Sequence, residues 1–129
     1  MIERRNKEIA LLRAAYGAIE VGENSEWVII REWRLPPGWN SPSTELLVII
    51  PPGYPVTPPD NFYASNDLRL ADGRIPGNAT ANHNELGRPW LQFSFHVEKG
   101  DWRPSADLLD GHTLEIFLRG VGSRLAELS

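Results

Sequence analysis

Two side chains in the C-terminal half have types and spacing that could do chemistry together. Ser94 and His96 stand two residues apart in Trp90-Leu91-Gln92-Phe93-Ser94-Phe95-His96-Val97, an apolar run that reads as extended chain. Alternate residues of an extended chain project to one face, so the hydroxyl and the imidazole come within reach of each other or of one bridging water. A serine hydroxyl is a poor nucleophile until a base removes its proton, and histidine suits that task near neutral pH. The chemistry of such a pair is acyl transfer through a serine ester. The bland reading is a hydrogen-bonded structural serine beside a partly buried histidine. His83 is a second candidate base, in a polar stretch that could fold back over Ser94. His112 reads as helix packing or surface.

Composition narrows the alternatives. The chain has no cysteine, which excludes disulfides, thiolate metal sites and a thiol nucleophile. Three histidines, irregularly spaced, do not make a zinc site, and no cofactor is expected. A net charge of -4 gives no electrostatic reason to expect nucleic acid or an anionic membrane as partner. The N-terminus, Met1-Ile2-Glu3-Arg4-Arg5-Asn6-Lys7-Glu8, is charged from the start and lacks the apolar core of a secretion signal. No apolar run approaches the roughly 20 residues of a membrane span. A soluble, cytoplasmic protein is the expectation. The 129 residues correspond to one domain over 1–129.

The elements that must position the pair follow from periodicity. Ile2, Ile9, Leu12, Tyr16 and Ile19 recur at helical spacing and predict an amphipathic helix over residues 2 to 20, closed by Gly22 and Asn24. Trp27 to Leu35 and Thr44 to Ile50 read as strands of an antiparallel meander, the second apolar enough to be covered on both sides. Residues 51 to 59 carry five prolines and form a rigid connection to a third strand near Phe62-Tyr63-Ala64. Asn66 to Arg88 is polar, rich in Gly, Asn and Asp, and reads as a long irregular loop. Pro104-Ser105 caps a final helical region with Leu109, Ile116, Phe117, Val121, Leu125 and Leu128 as its stripe; Gly111, Gly120 and Gly122 break it into two helices. The sum is an α+β pattern: N-terminal helix, antiparallel β-meander, long loop, C-terminal helices.

Pro52-Gly53-Tyr54-Pro55-Val56-Thr57-Pro58-Pro59 resembles the Tyr-Pro-x-x-Pro-Pro signature of ubiquitin-conjugating enzymes, and Trp102-Arg103-Pro104 resembles their Trp-x-Pro. The element order is similar along nearly the whole chain, which implies the UBC-like fold. The family's catalytic cysteine lies eight residues before that tryptophan, a position Ser94 occupies here. Its His-Pro-Asn motif supplies an asparagine to the oxyanion; the nearest match is His83-Asn84-Glu85, without the proline, so the resemblance assigns Asn84 that role. The chain also resembles a bacterial branch of the superfamily, encoded beside ubiquitin-like proteins, activating enzymes and peptidases, in Leu68-Arg69-Leu70-Ala71-Asp72-Gly73-Arg74 and in Phe93-Ser94-x-His96. That branch often places cysteine directly after such a histidine, where this chain has Val97.

The resemblance implies a protein that accepts the C-terminus of a ubiquitin-like protein from an activating enzyme and passes it to a target. Ser94 would carry it as an oxyester, with His96 or His83 as base. A deconjugating peptidase would be a further partner, and antiphage defence the setting. In the family the first helix helps to dock the activating enzyme, which points to Arg4, Arg5 and Lys7 as partner-binding residues. The alternative function is a non-catalytic module, like family variants without the cysteine, that scaffolds an activating enzyme or ubiquitin-like partner. A third reading is an engineered replacement of cysteine at position 94.

Overall fold

Helix α1 (Ile2–Tyr16) buries Arg5, Glu8, Ile9 and Leu12, residues three and four apart on one face. It ends four residues earlier than its periodicity predicts. Gly17 adopts the left-handed conformation (φ 77°) and its N–H bonds Arg13 O at 3.0 Å, closing the helix there. Ile19, expected on the helix, instead begins strand β1 (Ile19–Val21). The structure, a computed structural model, describes residues 2–128. Met1 and Ser129, at the ends of the expected domain, and the Ile2 side chain of the expected stripe lie outside the described residues.

Strands β2 (Trp27–Arg34) and β3 (Ser43–Ile49) pair antiparallel, as expected. Strand β4 (Phe62–Ser65) follows the proline segment, and β5 (Ala79–Glu85) and β6 (Arg88–Phe93) form a hairpin. The six strands make one antiparallel sheet in the order β1-β2-β3-β4-β6-β5. The irregular loop expected over 66–88 is therefore strand from Ala79 to Glu85 and again at Arg88. Asn82, at φ 63°, marks a bulge where the β5–β6 register slips, and β5 lies at the sheet edge with alternate residues exposed. An edge strand has one ladder side and polar faces to satisfy, so its sequence carries little apolar signal.

Helix α2 (Leu114–Ala126) is the one C-terminal α-helix among the described residues, where two were expected. Thr113, not Pro104-Ser105, is its N-cap, with Oγ1 accepting Ile116 N–H at 3.3 Å. Gly120 and Gly122 lie inside it without breaking it. A Cβ on Gly120 would come within 3.0 Å of the Phe95 ring, so that glycine makes room for the segment carrying Ser94.

Both helices pack on one face of the sheet. Ile9 and Leu12 from α1 join Phe117, Leu118, Val121 and Leu125 from α2 over Ile30, Leu46, Phe62, Leu91 and Phe93. Each such side chain contributes about 2 kcal/mol of burial. The opposite face carries a smaller cluster of Ile29, Leu47, Tyr63 and Trp90. No helix among the described residues is long and apolar enough to cross a membrane.

Candidate functional site: an exposed Ser-His-Asp array

The proline segment is tied down at its first end by buried polar groups. Glu8, 2% exposed, accepts from Tyr54 Oη at 2.7 Å, from Leu114 N–H at 2.7 Å and from Arg4 Nε at 2.9 Å. One carboxylate thus joins α1, the proline segment and the start of α2. Burial, then the Glu8 charge, raises the Tyr54 hydroxyl far above the usual tyrosine range. Trp102 Nε1 donates to Pro55 O at 2.7 Å, so the Trp-x-Pro tryptophan closes directly on the proline of the Tyr-Pro pair. The two motifs that looked separate in sequence form one knot.

The other end of the segment reaches the candidate nucleophile. Ser94 is exposed, one residue beyond β6, while its neighbour Phe93 is buried and Phe95 packs against Phe62 and Phe117. This alternation presents Ser94 and His96 together on the solvent side. Ser94 Oγ lies 3.2 Å from His96 Nε2. His96 Nδ1 in turn makes a short hydrogen bond with Asp60 Oδ1, at the end of the proline segment. With the carboxylate holding the Nδ1–H, Nε2 is left as the acceptor facing the serine hydroxyl. Serine, histidine and aspartate stand in the arrangement in which an imidazole can take the serine proton while a carboxylate fixes its tautomer.

Backbone pairing holds the three segments together. The β4–β6 register, with Phe62 opposite Phe93, carries on past both strands: Asn61 N–H donates to Phe95 O at 2.7 Å, and Phe95 N–H to Asn61 Oδ1 at 3.1 Å. On the other side Ser94 N–H donates to Asn78 O at 2.8 Å. Two asparagines therefore flank the nucleophile, Asn61 (φ 62°) and Asn78 (φ 58°), both in the left-handed conformation that asparagine tolerates. Asp60 was invisible to sequence reasoning because nothing local ties it to His96. Only the β4–β6 register could have found it.

His83 and Asn84 are not in a loop over the site; this corrects the expected geometry. Both lie on β5, opposite Trp90 and Pro89 of β6. At about 3.3 Å per residue that places them roughly 13 and 16 Å along the strand from Ser94. His83 stacks on Tyr63 (ring centroids 5.3 Å apart) and bonds Glu85 at 2.9 Å. Of the three α1 cations expected to bind a partner, Arg5 is buried, donating to Pro51 O at 2.6 Å, and Arg4 is committed to Glu8. Lys7 alone of them is freely exposed, its ammonium 3.4 Å from Glu3. It borders a groove with Val56, Pro104 and Leu108.

The model of the family described as Prokaryotic E2 family E matches residues 10–119, which include the proline segment, Ser94 and Trp102. The chain belongs to that family. No curated protein and no solved structure matches it significantly. Prokaryotic E2 membership ties the chain to ubiquitin-like conjugation in general terms. It also sharpens the chemical question, since this member has no cysteine anywhere. The hydroxyl at position 94 stands on an E2-like scaffold beside a base that is already oriented.

Proposed function

We propose that this protein is a bacterial conjugating enzyme for a ubiquitin-like protein that works through a serine oxyester. Ser94 Oγ attacks the thioester carbonyl presented by an activating enzyme and passes its proton to His96 Nε2, which hands it to the activating enzyme's sulfur as that thiol leaves. A target amine then attacks the acyl carbon and gives its proton to His96 Nε2, which returns a proton to Ser94 Oγ as the Oγ–carbon bond breaks. Asp60 holds the imidazole in the required tautomer. The observation that carries this reading is the 3.2 Å contact between an exposed serine and a histidine whose far nitrogen is occupied by a carboxylate. The reading supposes one UBC-like domain over 1–129 working in the cytoplasm, where a deconjugating peptidase could reverse the product; a role in antiphage defence rests on the family resemblance alone. The activating enzyme would dock at the first turn of α1, with Lys7 at the rim of the groove beside Val56.

The test is reconstitution with the cognate activating enzyme, ubiquitin-like protein and ATP. A hydroxylamine-sensitive adduct that disappears in Ser94→Ala supports the proposal, and an undiminished adduct in that variant rejects it. The distance of Asn84 from Ser94 favours one rival, a non-catalytic scaffold that binds the activating enzyme or ubiquitin-like partner. Stable complex formation without any covalent product would favour that rival. If the natural codon at position 94 specifies cysteine, the serine is a replacement and the oxyester falls.

A further inference from the structure

We propose that the Ser94–His96–Asp60 array also hydrolyses activated acyl esters and thioesters on its own, with water as the acceptor. This rests on Ser94 being the nucleophile, but it needs neither an activating enzyme nor ATP. Three features of the site point to water. The side chains of His96 and Asp60 are 61% and 66% exposed, and Ser94 itself is exposed, so water reaches an acyl-serine freely. The base is oriented before any partner binds, because Asp60 already occupies its Nδ1. A lysine acceptor, in contrast, is mostly protonated near neutral pH and must lose that proton before it attacks.

The chemistry closes without a co-reactant other than water. Ser94 Oγ bonds to the acyl carbon as its proton moves to His96 Nε2, and the leaving alcohol or thiol departs with that proton. Water then attacks the acyl-serine, its proton passes to His96, and the Oγ–carbon bond breaks as Ser94 takes the proton back. One ester and one water give one acid and one alcohol or thiol. Asn61 and Asn78 lie on the backbone segments that flank Ser94, with Asn61 Oδ1 accepting Phe95 N–H and Asn78 O accepting Ser94 N–H. The substrate class is a small or C-terminal acyl group bearing a good leaving group, since a serine exposed to solvent can meet such a group without a pocket to hold it.

The test uses the full chain with p-nitrophenyl acetate and with a glycine-terminated peptide thioester. Continued turnover beyond one equivalent is expected, together with covalent labelling of Ser94 by a fluorophosphonate probe. Ser94→Ala should lower turnover by at least a hundredfold or to the buffer rate. Asp60 acts through His96, so Asp60→Asn should lower kcat roughly tenfold to a hundredfold with KM unchanged, less than a buried triad aspartate because this one is solvated. Asp60→Glu should recover part of that loss, which a merely structural role would not show. Equal rates for wild type and Ser94→Ala would overturn the proposal. So would a single acetyl group that stays on Ser94 without turnover, although that result would leave the oxyester carrier of the conjugation reading intact. Turnover without any adduct from the activating enzyme would do the reverse.

Discussion

The two ends of the proline segment do opposite things with the same kinds of groups. At Tyr54–Pro55 a carboxylate, a phenol and an indole N–H are sealed inside, with Glu8 2% exposed and every contact pointing at a neighbouring element. At Asp60 a carboxylate, an imidazole and a hydroxyl stand in solvent, with His96 and Asp60 61% and 66% exposed, and two of the three come from one short extended stretch. Burial turns the first set into a structural knot, because each polar group would be costly if its partner were lost. Exposure leaves the second set contributing little to stability and open to substrate. The stiff run Val56-Thr57-Pro58-Pro59 joins one to the other: the knot fixes where Asp60 arrives.

That contrast can be broken from the buried side first. Glu8→Ala leaves Tyr54 Oη, Leu114 N–H and Arg4 without their acceptor, and chemical denaturation should show a loss of about 3–5 kcal/mol. Trp102→Phe keeps the ring and loses the bond to Pro55 O, for about 1–2 kcal/mol in the same measurement. At the other end, Ser94→Ala and Asp60→Asn should stay within about 0.5 kcal/mol of wild type in thermal melts, since they alter exposed groups. A loss above 2 kcal/mol at either position would mean that the array is structural and the comparison is wrong.

Alkaline pH sharpens the buried side further. Burial, with the Glu115 hydrogen bond and charge adding to it, pushes the Tyr16 hydroxyl up to about 12, and Tyr54 is raised still more. A pKa raised in the folded state means stability that is fully present below the ordinary tyrosine value near 10 and is lost as pH climbs through the folded values. Denaturation midpoints should therefore fall steadily above pH 10, and Tyr16→Phe should fall less between 10 and 12. A midpoint flat across that range would contradict the placement of these phenols, Tyr54 buried and Tyr16 half-buried.

The helices and the meander were legible because their apolar residues repeat with the helix or strand period, as Ile9 and Leu12 or Val28 and Ile30 do. The end of α1 was misplaced because Ile19 happens to continue the stripe while Gly17 turns the backbone away. Strand β5 was hidden for a different reason. Ala79-Thr80-Ala81-Asn82-His83-Asn84-Glu85 is mostly polar, interrupted by a left-handed asparagine, and held chiefly by its ladder to β6. That ladder, which no local pattern announces, is what holds His83 and Asn84 along β6 and away from Ser94. The Ser94–His96 pair was readable from two-residue spacing alone, whereas Asp60 depends on pairing between strands far apart in sequence.

Converting position 94 to the family's usual chemistry tests most directly whether this backbone presents an acyl carrier. Ser94→Cys, incubated with the cognate activating enzyme, its ubiquitin-like protein and ATP, should form an adduct that thiol reductants cleave, where the wild-type adduct resists them. Failure of the thiol to take up the ubiquitin-like protein, with the activating enzyme demonstrably charged, would contradict the assignment of Ser94 as the reactive position.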